Sequence, residues 1–174
     1  EGSKSTVPTV DDFERELEEL LVDDLPTVPE GVHVVYFAID ASTSISDADF
    51  NRQIDAYLAV VGRVIPKHFG DVAIGVNVFG AAARTVFPLQ LIRSRADVDR
   101  LRALLRSLKT TPRNTLNGGA GTHTGDAINL AQQSILDSPF ANAINRTIYV
   151  SAFGQPLSTP DARDATRRAE QAGT

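Results

Sequence analysis

The stretch "VHVVYFAID", residues 32–40, constrains the fold more than any other part of the chain. Val34, Val35, Phe37 and Ile39 run on without a polar side for water, so an extended strand here must be covered on both faces. Strands of that kind belong to parallel sheets, which need helical crossovers. The chain supplies them. Ser46 with Asp49 three residues on marks a helix start, and Phe50, Ile54, Leu58, Val61 and Ile65 then form one stripe. "VAIGVNVFG" reads as the next strand. "ARTVFPLQL" follows after a tight Gly80–Ala83 connection, which predicts an antiparallel hairpin at the sheet edge, where Pro88 is tolerated. A helix over 96–108 places Val98, Leu101, Leu105 and Leu108 inward, and a later one carries Ile128, Ala131 and Ile135. "RTIYVSAFG" is a further strand. "TPDARDATRRAEQAG" is a last helix, with Pro160 in its first turn and Gly173 past its end. The expected fold is three-layer α/β, doubly wound, with a mainly parallel sheet and an antiparallel edge hairpin. The alternation also predicts C-terminal strands that the 174 residues do not contain.

The first thirty residues differ. "DDFERELEELLVDDL" is acidic, with Phe13, Leu17, Leu20 and Leu21 at helical spacing and Thr9, Asp11 and Asp12 at a suitable start. Pro26 and Pro29 end that helix in a short extended linker. The chain is therefore divided into an acidic helix and linker, 1–31, and a main domain, 32–174. The helix reads as an appendage packed on that domain, with partner binding as the alternative.

Length and charge narrow the function. A chain of 174 residues suffices for one packed domain, and at 42% hydrophobic it has no apolar run of membrane-spanning length. A net charge of −5 with a pI near 5.1 argues against a general nucleic-acid binder. Without cysteine there is no disulfide framework, thiolate metal site or cysteine nucleophile.

The chemistry gathers just past "VVYFAI". Asp40, Ser42 and Ser44 follow the strand's carboxyl end, the place where doubly wound sheets bind ligands, and their alternate spacing can turn three oxygens to one point. One carboxylate with alcohols suits magnesium or manganese rather than zinc. A second oxygen cluster, Thr122 and Thr124, lies in a loop whose Gly118, Gly119 and Gly121 permit close backbone approach.

"DASTS" resembles the Asp-x-Ser-x-Ser motif of the von Willebrand factor type A domain, also known as the integrin inserted domain. "THTGDAI", some eighty residues on, is similar to that family's threonine motif. The resemblance covers Val32 to the C-terminus. It implies a Rossmann-like sheet and a metal-ion-dependent adhesion site in which Ser42, Ser44 and Thr122 ligate Mg2+ or Mn2+, while Asp40 contributes directly or through water. An acidic residue of a partner protein would complete the coordination. It also implies a non-enzymatic module without membrane insertion, in an extracellular or periplasmic setting. The family's final aspartate, after the fourth strand, falls here on Ala152 or Phe153, neither of which binds a cation. A weak or absent ion is the expected consequence, and a metal-free scaffold is the alternative function. Asp126 reads as a dipole partner in the first turn of its helix rather than as a substitute.

Other chemistries fit less well. Phosphoaspartate hydrolases need a second acid two residues after the first, where this chain has Ser42. His33, His68 and His123 have no ligand spacing. The basic run Arg93, Arg95, Arg100, Arg102, Arg106, Lys109 and Arg113 reads as a solvated helix face. Its alternative is a docking patch for an acidic partner, the chain's own acidic helix included.

Overall fold

A computed structural model describes residues 10–19, 31–43, 45–116, 123–143 and 145–151. In chain order the elements are α1 (Val10–Glu19), β1 (His33–Asp40), α2 (Asp47–Val64), β2 (Val72–Phe79), β3 (Ala83–Leu91), α3 (Arg95–Thr110), α4 (Arg113–Leu116), α5 (Thr124–Leu136) and β4 (Asn145–Ser151). A 3-10 turn, Ile65–Lys67, closes α2. The strands lie in the order β3-β2-β1-β4, with β1 parallel to both neighbours and β2–β3 antiparallel. The fold is thus the three-layer, mainly parallel arrangement that the apolar runs predict.

All eight residues of β1 and all eight of β2 are buried, as central strands require. β3 is half-exposed along its length, as an edge strand should be. Its register against β2 slips between the pairs Ile74–Gln90 and Val76–Phe87, so Pro88 sits in a bulge where no ladder amide is needed. Helix α2 starts where expected: the Asp49 amide donates to Ser46 Oγ at 3.1 Å. Helix α3 runs slightly longer than the 96–108 expected and buries the four residues named above.

The helices divide between the sheet's faces. Val35, Phe37, Ile39, Val72, Ile74, Val76 and Val78 pack with α2 and α3. Val34, Tyr36, Ala38, Ala73 and Phe79 pack with α5. The β1-to-β2 crossover helix α2 therefore lies on one face, joined there by α3, and α5, which leads into β4, lies on the other, which makes the β1/β4 carboxyl ends the sheet's switch point.

The acidic helix forms and packs on the main domain, with polar contacts to α2 and β4. Leu17 is fully buried in the α2/α3 core, and Glu18 pairs with Arg63 of α2 at 3.0 Å. The Tyr149 hydroxyl of β4 donates to Glu16 at 3.3 Å. Burial first, and the Glu16 carboxylate second, hold that phenol well above its ordinary pKa. Two members of the basic run pair with nearer carboxylates, Arg100 with Asp97 and Lys109 with Asp55, the latter at 2.6 Å. Charge counting along one helix misses acids that a neighbouring helix brings alongside. The Pro26/Pro29 linker, Leu20, Leu21 and the helix expected over 159–173 lie outside the described residues.

Candidate metal centre

Asp40 is the last residue of β1 and is completely buried. The Ala41 amide still donates to the Phe79 carbonyl at 2.8 Å, carrying the β1–β2 ladder one residue further. There the chain turns. The Ser42 amide donates to Asp40 Oδ1 at 2.8 Å, a local turn of the kind aspartate favours. That bond fixes the carboxylate and brings Ser42, itself 1% exposed, back over the strand end. Thr43 is exposed, and the buried Ile45 leads into the Ser46 cap of α2.

Of the four expected ligands, Asp40 and Ser42 are brought together. Ser44 and Thr122 lie outside the described residues, as do the glycines at 118, 119 and 121 and both candidates for the lost aspartate, Ala152 and Phe153. Thr124 is the first residue of α5 and is half-buried. The chain enters that helix pinned to the sheet, for the His123 amide donates to the Gly80 carbonyl at 2.7 Å. Asp126 lies exposed in the first turn, where a carboxylate complements the helix dipole. The donors described at the strand end are hard oxygens, which fits magnesium or manganese. Among the described residues no group of three or more His, Cys, Asp or Glu assembles.

Beneath Asp40 lies a polar chain that the apolar stripe conceals. The Tyr57 hydroxyl donates to Ser151 Oγ at 3.0 Å, and Ser151 Oγ in turn donates to Gln53 Oε1. Gln53 Nε2 then donates to the Asp40 carbonyl at 3.1 Å. All three side chains are buried, so α2, β4 and the end of β1 are tied by bonds that water does not compete for. Burial pushes the Tyr57 phenol well above its ordinary pKa, with the Ser151 hydrogen bond working the other way and Tyr149 adding to the rise. The phenol therefore stays a donor, and the direction of the chain is set. The available signal was two polar residues, Gln53 and Tyr57, at i and i+4 beside an apolar helix stripe.

Arg113, counted in the basic run from the sequence, has a separate place in the structure. From α4 it reaches across to the loop after Asp40, donating to the Ser42 carbonyl at 2.8 Å and also to the Ile45 carbonyl. Its Nε lies 3.1 Å from Asp47, and its guanidinium sits 5.5 Å from the centre of the Phe50 ring.

Comparison with known proteins agrees with the fold. The von Willebrand factor type A domain family matches residues 35–174. Among solved structures, the conserved hypothetical protein BatB from Bacteroides thetaiotaomicron superposes with a TM-score of 0.61 at 23% identity, covering 81% of this chain and 62% of that one. An aerotolerance-related membrane protein from Bacteroides fragilis NCTC 9343 gives 0.61 at 22% identity, covering 81% and 63%. Three N-terminal domains of the type V pili tip protein Mfa5 from Porphyromonas gingivalis give 0.50 at 20%, covering 68% and 19%. At these identities the likeness establishes the fold alone, and the chain spans less than two thirds of each of these structures. No curated protein matches the chain significantly. With the matching family covering everything from the middle of β1 onward, the chain belongs to the von Willebrand factor type A domain family.

Proposed function

We propose that this chain is a protein-binding module that engages an acidic residue of its partner through a magnesium or manganese ion held by Asp40, Ser42, Ser44 and Thr122. The observation that carries the reading is the pairing of Asp40 with Ser42 at the carboxyl end of the central strand. Both are buried, and a hydrogen bond fixes their mutual position. Domains of this family commonly mediate protein–protein interactions and are generally non-enzymatic. A bound ion would supply a Lewis-acidic anchor for the partner's carboxylate. The chain's own part is to hold hard oxygens at a rigid strand end. Residues 1–31 are read as an appendage to the binding domain, 32–174. No helix among the described residues is long and apolar enough to cross a membrane. The membrane and pilus-tip proteins among the structural relatives support an extracellular or periplasmic setting.

The second reading, a metal-free scaffold, is favoured by one observation. The family's last aspartate is replaced by a neutral residue, whether the position is Ala152 or Phe153. Titration with Mg2+ and Mn2+, followed by calorimetry and by melting temperature, separates the two. The metal reading expects saturable binding that raises the melting temperature and disappears in a Ser42→Ala, Ser44→Ala double variant that still folds. It also expects either Ala152→Asp or Phe153→Asp to tighten binding about tenfold, worth ~1.4 kcal/mol. No binding by the parent chain, and none gained by either aspartate variant, leaves the scaffold reading in place.

A further inference from the structure

We propose that Arg113 is a positioning residue for the loop after Asp40, holding the Ser42 and Ile45 carbonyls in a fixed relation and so setting how Ser42 is presented at the strand end. The link to ion affinity rests on the metal reading above; the link to loop shape does not.

The loop is held in part by the Ser42 amide, which donates to Asp40 Oδ1 at 2.8 Å. Its internal backbone bond, from the Ile45 amide to the Ser42 carbonyl, is long at 3.3 Å. Arg113 supplies what that bond lacks. Its two terminal nitrogens donate to the Ser42 and Ile45 carbonyls, so one planar group bridges both ends of the turn. Charge-assisted bonds of this kind are stronger than neutral ones, and a guanidinium offers its donors in a fixed planar fork that an ammonium lacks. The side chain is only 15% exposed, whereas its ion-pair partner Asp47 is 88% exposed. The carbonyl contacts are therefore the shielded ones, and the ion pair is largely screened. Arg113 is itself well founded. Leu116, at the other end of α4, is buried, and Arg84 of β3 donates to the Thr115 carbonyl at 3.4 Å. The Phe50 ring supports the guanidinium from α2. Its outer side borders a solvent-facing cleft of about 300 Å³ shared with Asp47, Asn51 and Lys109. Shortening the side chain thus enlarges a space that water already enters, and does not empty a sealed cavity.

The positioning role and a plain charge effect have opposite signs. A fixed positive charge near a cation site repels the cation, so its removal alone should tighten binding. Loss of the loop's shape should weaken it.

The test compares Arg113→Gln, Arg113→Lys and Asp47→Asn in the full chain, by residue-level amide hydrogen exchange and by Mg2+ and Mn2+ titration. In Arg113→Gln the Ser42 and Ile45 amides should exchange at least tenfold faster, while Phe37 and Val76 in the central strands keep their protection. Arg113→Lys, which retains the charge but loses the fork, should fall between that variant and the parent chain, and Asp47→Asn should match the parent chain. Ion affinity should drop at least threefold in Arg113→Gln. Unchanged exchange at Ser42 and Ile45 overturns the proposal, as does faster exchange spread evenly through β1 and β2. Tighter ion binding in Arg113→Gln overturns its extension to the site. A parent chain that takes up neither ion, with no gain in Ala152→Asp or Phe153→Asp, refutes the metal reading, and the exchange data still decide the role of Arg113.

Discussion

Toward α2 and α3 the two central strands present Val35, Phe37, Ile39, Ile74, Val76 and Val78; toward α5 they present Ala38, Ala73, Gly75 and Asn77 beside Tyr36 and Phe79. The first set is bulky and wholly apolar, and its contribution is buried area. The second is mostly small, with one large ring laid flat where a glycine allows it. Tyr36 of β1 crosses over Gly75, its register partner on β2, and its hydroxyl comes within 3.4 Å of Thr85 Oγ1 on β3. Asn77, fully buried, donates to the Ala127 carbonyl at 3.1 Å and so pegs the first turns of α5 to the sheet. One face makes the domain stable. The other sets the depth and register of the helix that begins at Thr124. The carboxyl edge draws on both, since the Gln53–Ser151–Tyr57 chain rises from the first face and the α5 entry from the second.

The largest effect should come from the apolar face. Phe37 is fully buried, and its ring meets that of Tyr57 edge-on at 4.9 Å. Phe37→Ala should lower unfolding free energy by about 3–5 kcal/mol, read by urea denaturation. A loss below about 1 kcal/mol would mean that this face does not carry the stability assigned to it.

On the α5 face a smaller change should have a more local signature. A Cβ on Gly75 would stand 2.4 Å from Tyr36 Cε2, so the ring must move. Gly75→Ala should cost about 1–3 kcal/mol. In a Tyr36→Leu background the same change should cost less, with a coupling of roughly 0.5–3 kcal/mol in the double-mutant cycle. Strict additivity would break the claim that the glycine exists to admit the ring.

Tyr57→Phe should be the mildest at neutral pH, about 1 kcal/mol for one buried hydrogen bond. Its larger mark is on the alkaline limb. Because burial raises the folded phenol above its ordinary value of 10.0, the unfolded chain ionises first. Stability from this group is complete below about pH 10 and falls above it, by up to about 1.4 kcal/mol per pH unit. Tyr149, also raised, adds to the same limb. Removing the Tyr57 hydroxyl should therefore flatten the fall measured by denaturation between pH 9 and 11. An unchanged slope would show that Tyr57 is not shielded as the structure has it.

Much of this architecture was legible before any coordinates. An apolar run with no wet side can only be a central strand, and a proline in a half-polar run can only be near an edge. β1 and β3 follow from that reasoning, as does the position of Asp40 at a strand's carboxyl end. The motif pair "DASTS" and "THTGDAI" named the family, because two short patterns in fixed order are far more specific than either alone. These are local properties: burial periodicity, capping and turn chemistry are written in neighbouring residues.

What the sequence could not disclose were the partners of polar side chains separated by long stretches of chain. Arg113 looked like one more cation on a basic run, yet it closes a loop 71 residues earlier. Gln53 and Ser151, 98 residues apart, meet under Asp40. Among the described residues, the acidic helix meets Arg63 and Tyr149, far away in sequence. Hydrophobic burial is nondirectional, so its pattern can be read along the chain. A hydrogen bond or ion pair depends on ångström-scale distance and on angle, and only the packed helices and the strand register determine those.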